Sequence, residues 1–320
     1  MEIYFAFGRN TNPYINLATE WDKVQNNAKN SICLFLWQNQ NTVVIGANQN
    51  PYRELNLDAI KENGTSIARR RTGGGAVYHD LGNLNFSFIA DKSLYDAKKQ
   101  LSVVQMALKT FGLKAEISGR NDITLNGRKF SGNAYYKDKN NCLHHGTLLI
   151  NTDFNTMKNY LSPRESKLKK YGVSSVKSRV INLADIAKNV TPKDIAFSLK
   201  TAFEQVYGQK SKELDINTND NIIALAEAWQ NDNYIFGKWK DFDAKIEQSF
   251  EWGTVEIDLN LANDTIEEIF ISSDSLYPKS IEKAKELLTG KKSNDINFLA
   301  TNDTVMMDII NLVRSKICLN

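Results

Sequence analysis

The sequence predicts an α+β protein: a large unit of mixed sheets flanked by helices over residues 1–245, then a small α+β unit over residues 246–320. Three observations predict it. Short β-branched and aromatic runs alternate with segments of helical apolar spacing, so hairpins and crossover helices are mixed, with no internal repeat. Near residues 239–248 the pattern shifts to long alternating strands followed by helices, an order that is complete in itself. A length of 320 residues suits one large core plus a smaller one.

Taken in order, EIYFAF at residues 2–7 reads as a first strand, closed by Gly8 and the turn-rich RNTNP. Leu17, Trp21, Val24 and Ala28 recur at helical spacing after Pro13. ICLFLWQ and TVVIGANQ are apolar strands parted by an Asn-rich turn at residues 38–41, the second ending in the polar tip Asn48-Gln49-Asn50-Pro51. Residues 55–62 form a short helix stopping at Gly64, and SIARRR continues as a strand. Residues 83–89 form another, with Leu84, Phe86 and Phe88 on one face and Asn85 and Ser87 on the other. Leu101, Val104, Leu108 and Phe111 mark a helix stopped by Gly112. Further helices follow at Val180 to Ala187, after Thr191-Pro192 and at IIALAEAW. FEWGTVEIDLNL and DTIEEIFISSDSL are the strands of the small unit, followed by a helix ending at Gly290 and a last one from Asp303 to Cys318.

Composition excludes several classes. The chain is 42% hydrophobic and 24% charged, and 40 basic against 37 acidic residues leave a net charge of +3, too slight to argue for nucleic acid or an anionic membrane. Cys33, Cys142 and Cys318 are widely spread without CxxC spacing, which indicates neither a disulfide framework nor a structural zinc site. The first residues lack a signal-peptide pattern, and no apolar run approaches a membrane span, so a soluble cytoplasmic protein is expected.

The most informative stretch is RRRTGGGAVYHDLGN at residues 69–83. Glycines bring backbone N–H groups close to a ligand, and a Gly-Gly-Gly turn can form a concave donor surface for phosphate oxygens. Arginine beside it adds a permanent charge on a planar fork of donors. Taken singly, the arginines are a solvated run and the glycines a hairpin tip; together and between strands they favour an anion site.

A second stretch runs from Ser118 to Thr147. Asp122 begins a strand, Asn126-Gly127 turns it, and Arg128-Lys129-Phe130-Ser131-Gly132-Asn133 returns along the partner, so Asp122 and Lys129 can meet near one sheet edge. Ser131-Gly132 would let a ligand approach the backbone, which sets Lys129 apart from an ordinary exposed strand lysine. His144 and His145, adjacent on a strand, point to opposite faces, poor geometry for one metal. The basic segment at residues 167–179 is either an ordinary surface or a loop that folds over an anionic intermediate.

At these residues the sequence resembles the lipoate-protein ligase A family, within the wider group of biotin and lipoate ligases and octanoyl transferases. The motifs stand here as IGANQNP, RRRTGGGAVYHDLGN, SGRNDI, GRKFSGNAYY, HHGTLL and GVSSVKSRVINL, in order over about residues 1–190, with a weaker likeness in FEWGTVEIDL. The resemblance implies a biotin/lipoate ligase-like fold, with residues 1–245 catalytic and 246–320 accessory. It also implies activation of lipoate, or octanoate, by ATP with Mg²⁺ to an acyl-AMP. Transfer to a lysine of a lipoyl-acceptor domain follows, in the glycine-cleavage H protein or a dehydrogenase E2.

Carried over by position, Arg70, Gly75, Ala76, Val77 and Tyr78 are the expected ATP contacts. Lys129 is the expected catalytic residue, touching both nucleotide and lipoate; staying protonated, it would bridge the acyl carbonyl and the α-phosphate. Arg70, Gly74, His79 and Thr147 are expected at lipoate, with His79 open between pocket wall and satisfied core histidine. Asn83 and Asp122 are support positions, and Asp122 is either a Mg²⁺ ligand or a salt-bridge partner that orients Lys129. Arg69 and Arg71 would alternate away from the pocket. Apolar strand residues would house the acyl chain. The rivals are an octanoyl or lipoyl transferase needing a nucleophilic cysteine, an amidotransferase moving lipoyl groups between proteins, and a non-enzymatic nucleotide binder. Cys142 reads as part of a hairpin turn, which argues against the first.

Overall fold

The computed structural model describes residues 1–119, 121–161, 180–237 and 244–317. Two compact units emerge. One comprises Met1–Val44, Leu55–Ala68 and Val77–Ile235; the other comprises Ile45–Glu54, Arg69–Ala76 and Phe236–Asn320. The sequence suggests a single cut near residue 246, whereas the compact units interleave. Two short loops from the first half of the chain cluster with its last third, because their bonding partners lie there.

In the first unit the strands are β1 (Glu2–Phe7), β2 (Ser31–Trp37), β3 (Thr42–Ile45), β4 (Ser66–Arg69), β5 (Val77–His79), β6 (Asn83–Asp91), β7 (Glu116–Ser118), β8 (Asp122–Leu125), β9 (Arg128–Lys137), β10 (Asn141–Leu149) and β11 (Lys212–Glu213). Ile45 and Arg69, the last residues of β3 and β4, carry the chain into the second unit. A large mixed sheet has the order β11-β1-β2-β6-β10-β9-β8-β7, and a small one the order β4-β3-β5. The strands on either side of the 38–41 turn therefore lie in different sheets. β2 and β6 are buried along almost their whole length, and both faces of the large sheet are covered at its centre.

One face packs Leu34, Leu36, Phe86 and Phe88 against the Ala97–Lys109 and Pro192–Tyr207 helices. These helices stand where the apolar spacing puts them. The second is fixed by a Thr191/Asp194 capping box at its start and by Gly208 at φ +72° at its end. On the other face α1 (Pro13–Gln25), started by an Asn12 cap, lays Glu20 over Ser87 and His145. The helix expected from Val180 to Ala187 is a single 3₁₀ turn, Leu183–Asp185.

The second unit holds three antiparallel strands in the order β12 (Ala244–Phe250), β13 (Gly253–Ala262), β14 (Thr265–Ser273), one more than expected. Its core joins Val255, Ile257, Leu259 and Ile269 to helices Pro278–Leu288 and Thr304–Ile317. None of the described helices is long and apolar enough to cross a membrane.

Candidate active site

The β8–β9 hairpin turns on Asn126 (φ +52°) and Gly127 (φ +72°), the consecutive left-handed pair that the Asn-Gly dipeptide supplies. Its register is Asp122 opposite Gly132 and Thr124 opposite Lys129, with a shift between Ile123 and Thr124. That irregularity swings Lys129 onto the face of Asp122, where Lys129 Nζ lies 2.8 Å from Asp122 Oδ1. Each side chain keeps 36% of its surface exposed. A Cβ on Gly132 would lie 3.0 Å from Lys129 Nζ and 3.1 Å from its Cε, so the end of the lysine lies close over the bare glycine backbone.

The Gly132 N–H donates to Thr147 Oγ1 at 3.2 Å. Thr147 is paired with Asn85 on β6, and Asn85 with Trp37 on β2. A row of residues thus leads from Lys129 across the large sheet. Asn83 and Asn85 are linked by an amide–amide hydrogen bond of 3.0 Å. Trp37 Nε1–H donates to Ser87 at 2.9 Å, and Ser87 donates to Glu20.

His79 sits on β5, buried, with its ring 6.1 Å edge-on to Trp37. Asn16 donates to Asn39 Oδ1 at 2.9 Å, which turns the Asn39 NH₂ toward His79 Nδ1 at 3.1 Å and places the ring proton on Nε2. Tyr78, a neighbour on the same strand, buries its ring against Tyr160, and that burial raises the phenol above its ordinary value.

His144 and His145 do face opposite ways. His144 is fully buried between Gln100 at 2.9 Å and Asn133 at 3.0 Å, and burial, aided by His145, pushes it down to about 3. His145 meets Glu20 at 2.8 Å. Among the described residues no group of three or more His, Cys, Asp or Glu side chains could hold a metal. Asp122 Oδ1 bonds the Lys129 ammonium.

In the second unit, residues 46–50 and 69–75 form two loops in backbone contact. The Ala47 N–H donates to Thr72 O at 2.9 Å, and a Cβ on Gly46 would lie 2.1 Å from Gly74 O. Arg70 is buried, and its guanidinium donates to Thr72 Oγ1 at 3.1 Å, Gly73 O at 2.7 Å and Gly75 O at 2.8 Å. Arg69 reaches the carbonyls of Gly46, Ala47 and Gln49 at 2.8 to 3.1 Å. It binds a neighbouring loop where the sequence suggests only strand alternation. Loops seal carbonyls with arginine forks because a buried unpaired carbonyl is costly.

The loops also rest on the turn after β14. The Gly74 N–H donates to Ser275 O at 2.9 Å, and a Cβ on Gly73 would lie 2.0 Å from that same oxygen. Arg53 grips the buried carboxylates of Glu256, through a short bond, and Asp258 at 3.0 Å. The sequence reading missed Arg53, Asn85 and Trp37. An acidic residue at alternate positions of an apolar strand, as in VEID, was the available signal for the first.

The expected cysteine positions need one correction. Cys142 lies on β10, not in a turn; it is 1% exposed, and burial raises its thiol. Cys33 is pushed up to about 12 by burial. Burial of both disfavours the thiolate form. The basic segment at residues 167–179, Arg120 of SGRNDI and Cys318 lie outside the described residues.

The structure thus sets a lysine–aspartate pair beside Gly132 on a mixed sheet flanked by helices, an α+β class of protein. The comparisons specify the class further. Residues 12–204 match the lipoyl protein ligase A/B catalytic domain, and residues 240–310 match the bacterial lipoate protein ligase C-terminus. The lipoate-protein ligase A of Bdellovibrio bacteriovorus is 38% identical over 88% of this chain and 85% of its own. LipL1 of P. falciparum, solved in complex with lipoate, superposes with a TM-score of 0.86 at 31% identity, covering 99% of this chain and 100% of that one. A lipoate-protein ligase A bound with ATP gives a TM-score of 0.65 at 26% identity over 74% of this chain and 99% of that one. The chain belongs to the lipoate-protein ligase A family.

Proposed function

We propose that this chain is an ATP-dependent lipoate–protein ligase. The carboxylate of lipoate attacks the α-phosphate of ATP, pyrophosphate leaves, and lipoyl-AMP forms. An acceptor lysine amine then attacks the acyl carbonyl, AMP leaves, and an amide results. The observation that carries this reading is Lys129, held by Asp122 at 2.8 Å above Gly132 while remaining accessible. An ammonium fixed there stabilises charge that develops on the α-phosphate and on the carbonyl oxygen. Asp122 orients it.

Arg70 and the backbone of Gly75, Ala76, Val77 and Tyr78 are our candidates for the ATP contacts. Gly74, His79, Thr147 and Asn83 are the candidates at lipoate, together with Arg70. Mg²⁺ would enter with ATP, and Asp122 is the candidate protein ligand. The acceptor is a lipoyl domain of a dehydrogenase E2 or the glycine-cleavage H protein, met in the cytoplasm. Residues 1–245 would do the chemistry and 246–320 would be accessory.

The buried, raised thiols of Cys33 and Cys142 favour adenylation over a thioester route. Lipoate-dependent exchange of labelled pyrophosphate into ATP is the test. The ligase reading requires exchange by the purified chain, whereas an amidotransferase or a mere nucleotide binder gives none.

A further inference from the structure

On the face of the large sheet that carries Lys129, β6 presents Asn83, Asn85 and Ser87 in alternation. Ser87 is satisfied by Trp37 and Glu20. The asparagines are only half satisfied. Asn83 Nδ2 donates to Asn85 Oδ1 at 3.0 Å, while Asn83 Oδ1 and Asn85 Nδ2 have no hydrogen-bond partner among the described residues. Both residues are buried, at 0% and 2% exposure. Turning both amides over exchanges the two roles and still leaves one donor and one acceptor. Buried amide groups are rarely left this way unless a ligand or another partner meets them.

The position of the pair suggests which part of a ligand that is. Thr147 accepts from Gly132, beside Lys129, and Asn85 is the residue opposite Thr147 on the next strand. Two strand spacings, about 10 Å, therefore separate the Lys129 strand from Asn85. That is the reach of an extended octanoyl-length chain whose carbonyl sits at Lys129. The amides stand where the far end of the acyl group would lie, and there lipoate carries a dithiolane ring while octanoate ends in a methyl.

We propose that the Asn83–Asn85 amide pair is the selectivity element of this site, favouring a sulfur-bearing acyl end over a plain alkyl one. Sulfur is polarisable and accepts a weak hydrogen bond, so the ring can meet the Asn85 N–H; a methyl leaves it unmet in a dry site. The inference rests on the ligase reading of Lys129.

The test compares lipoate with octanoate in pyrophosphate exchange at saturating ATP, for the full-length chain and for Asn85→Leu. The wild type is expected to prefer lipoate. In Asn85→Leu the ratio of kcat/KM for lipoate to that for octanoate should fall roughly tenfold, the scale of one buried unpaired polar group. The change should lie mainly in KM for the acid, because the amide is remote from the reacting carbonyl. Asn85→Ala is read by the same ratio and decides the matter should the leucine variant not fold. Equal loss of both substrates in the variants, or no preference in the wild type, overturns the selectivity role. Absence of exchange with either acid in the wild type overturns the ligase reading instead.

Discussion

Lys129 and Arg70 are both cations in the motifs that single out this family, yet the structure employs them in opposite ways. Lys129 has one carboxylate partner at 2.8 Å and over a third of its side chain in solvent. Arg70 is 7% exposed and donates to the hydroxyl and carbonyls of its own glycine loop. The lysine's side chain is partly open to solvent. The described bonds of the arginine fix the shape of its own loop. A cation of the motif can therefore also hold its own loop together, as the Arg70 bonds to loop oxygens show.

The sharpest way to break this contrast is Lys129→Ala. If Lys129 acts on the substrate, formation of lipoyl-AMP should fall by about 10²–10³ in kcat/KM, the scale of losing one preorganised electrostatic group. Stability should change little, since a pair this exposed contributes ~0–1 kcal/mol. Single-turnover adenylate formation alongside urea unfolding measures both, and an unchanged rate of adenylate formation refutes the role.

Next in size is Arg53→Met, which belongs to the group of shape-holding cations. It takes from the buried carboxylates of Glu256 and Asp258 a cation that both bond, a loss of up to about 3 kcal/mol in the second unit. Adding Glu256→Gln and Asp258→Asn should restore part of it, because neutral amides need no counter-ion. Urea unfolding of the full chain measures both changes. A triple variant no more stable than Arg53→Met would show that the clamp acts by packing rather than by charge.

How much of this was legible in the sequence follows the same division. The Lys129–Asp122 meeting could be read because an Asn-Gly turn fixes a local hairpin, and local geometry needs few residues to specify it. The helices were legible from apolar spacing and caps, as at Thr191-Pro192 and Gly208. What escaped depends on distant chain. Arg69 binding the carbonyls of Gly46, Ala47 and Gln49, and Arg53 binding two residues some 200 positions later, have no periodic trace. The third strand of the small sheet, β12, was hidden in AKIEQSF, whose buried alternation is weak. Asn85 was placed on the correct face by simple alternation, but its unmet amide becomes visible only once Thr147 and Trp37 stand beside it.

The smallest expected effect tests whether a titratable group can belong wholly to the shape-holding class. His144 is neutral and fully buried, held down to about 3 from an ordinary 6.5, with Asn133, the neighbour of Gly132, as a partner. Between those two values the unfolded chain binds a proton that the folded chain refuses. Stability therefore rises with pH across this window: the contribution is complete above about pH 6.5 and is lost as pH falls toward 3. The slope is at most ~1.4 kcal/mol per pH unit. Urea unfolding at several pH values between 5 and 7.5 should show that slope in the wild type and a flatter one in His144→Asn, whatever the variant's absolute stability. Parallel curves would mean that His144 takes up its proton in the folded state, where Gln100 Oε1 and Asn133 Oδ1 would both accept from the ring.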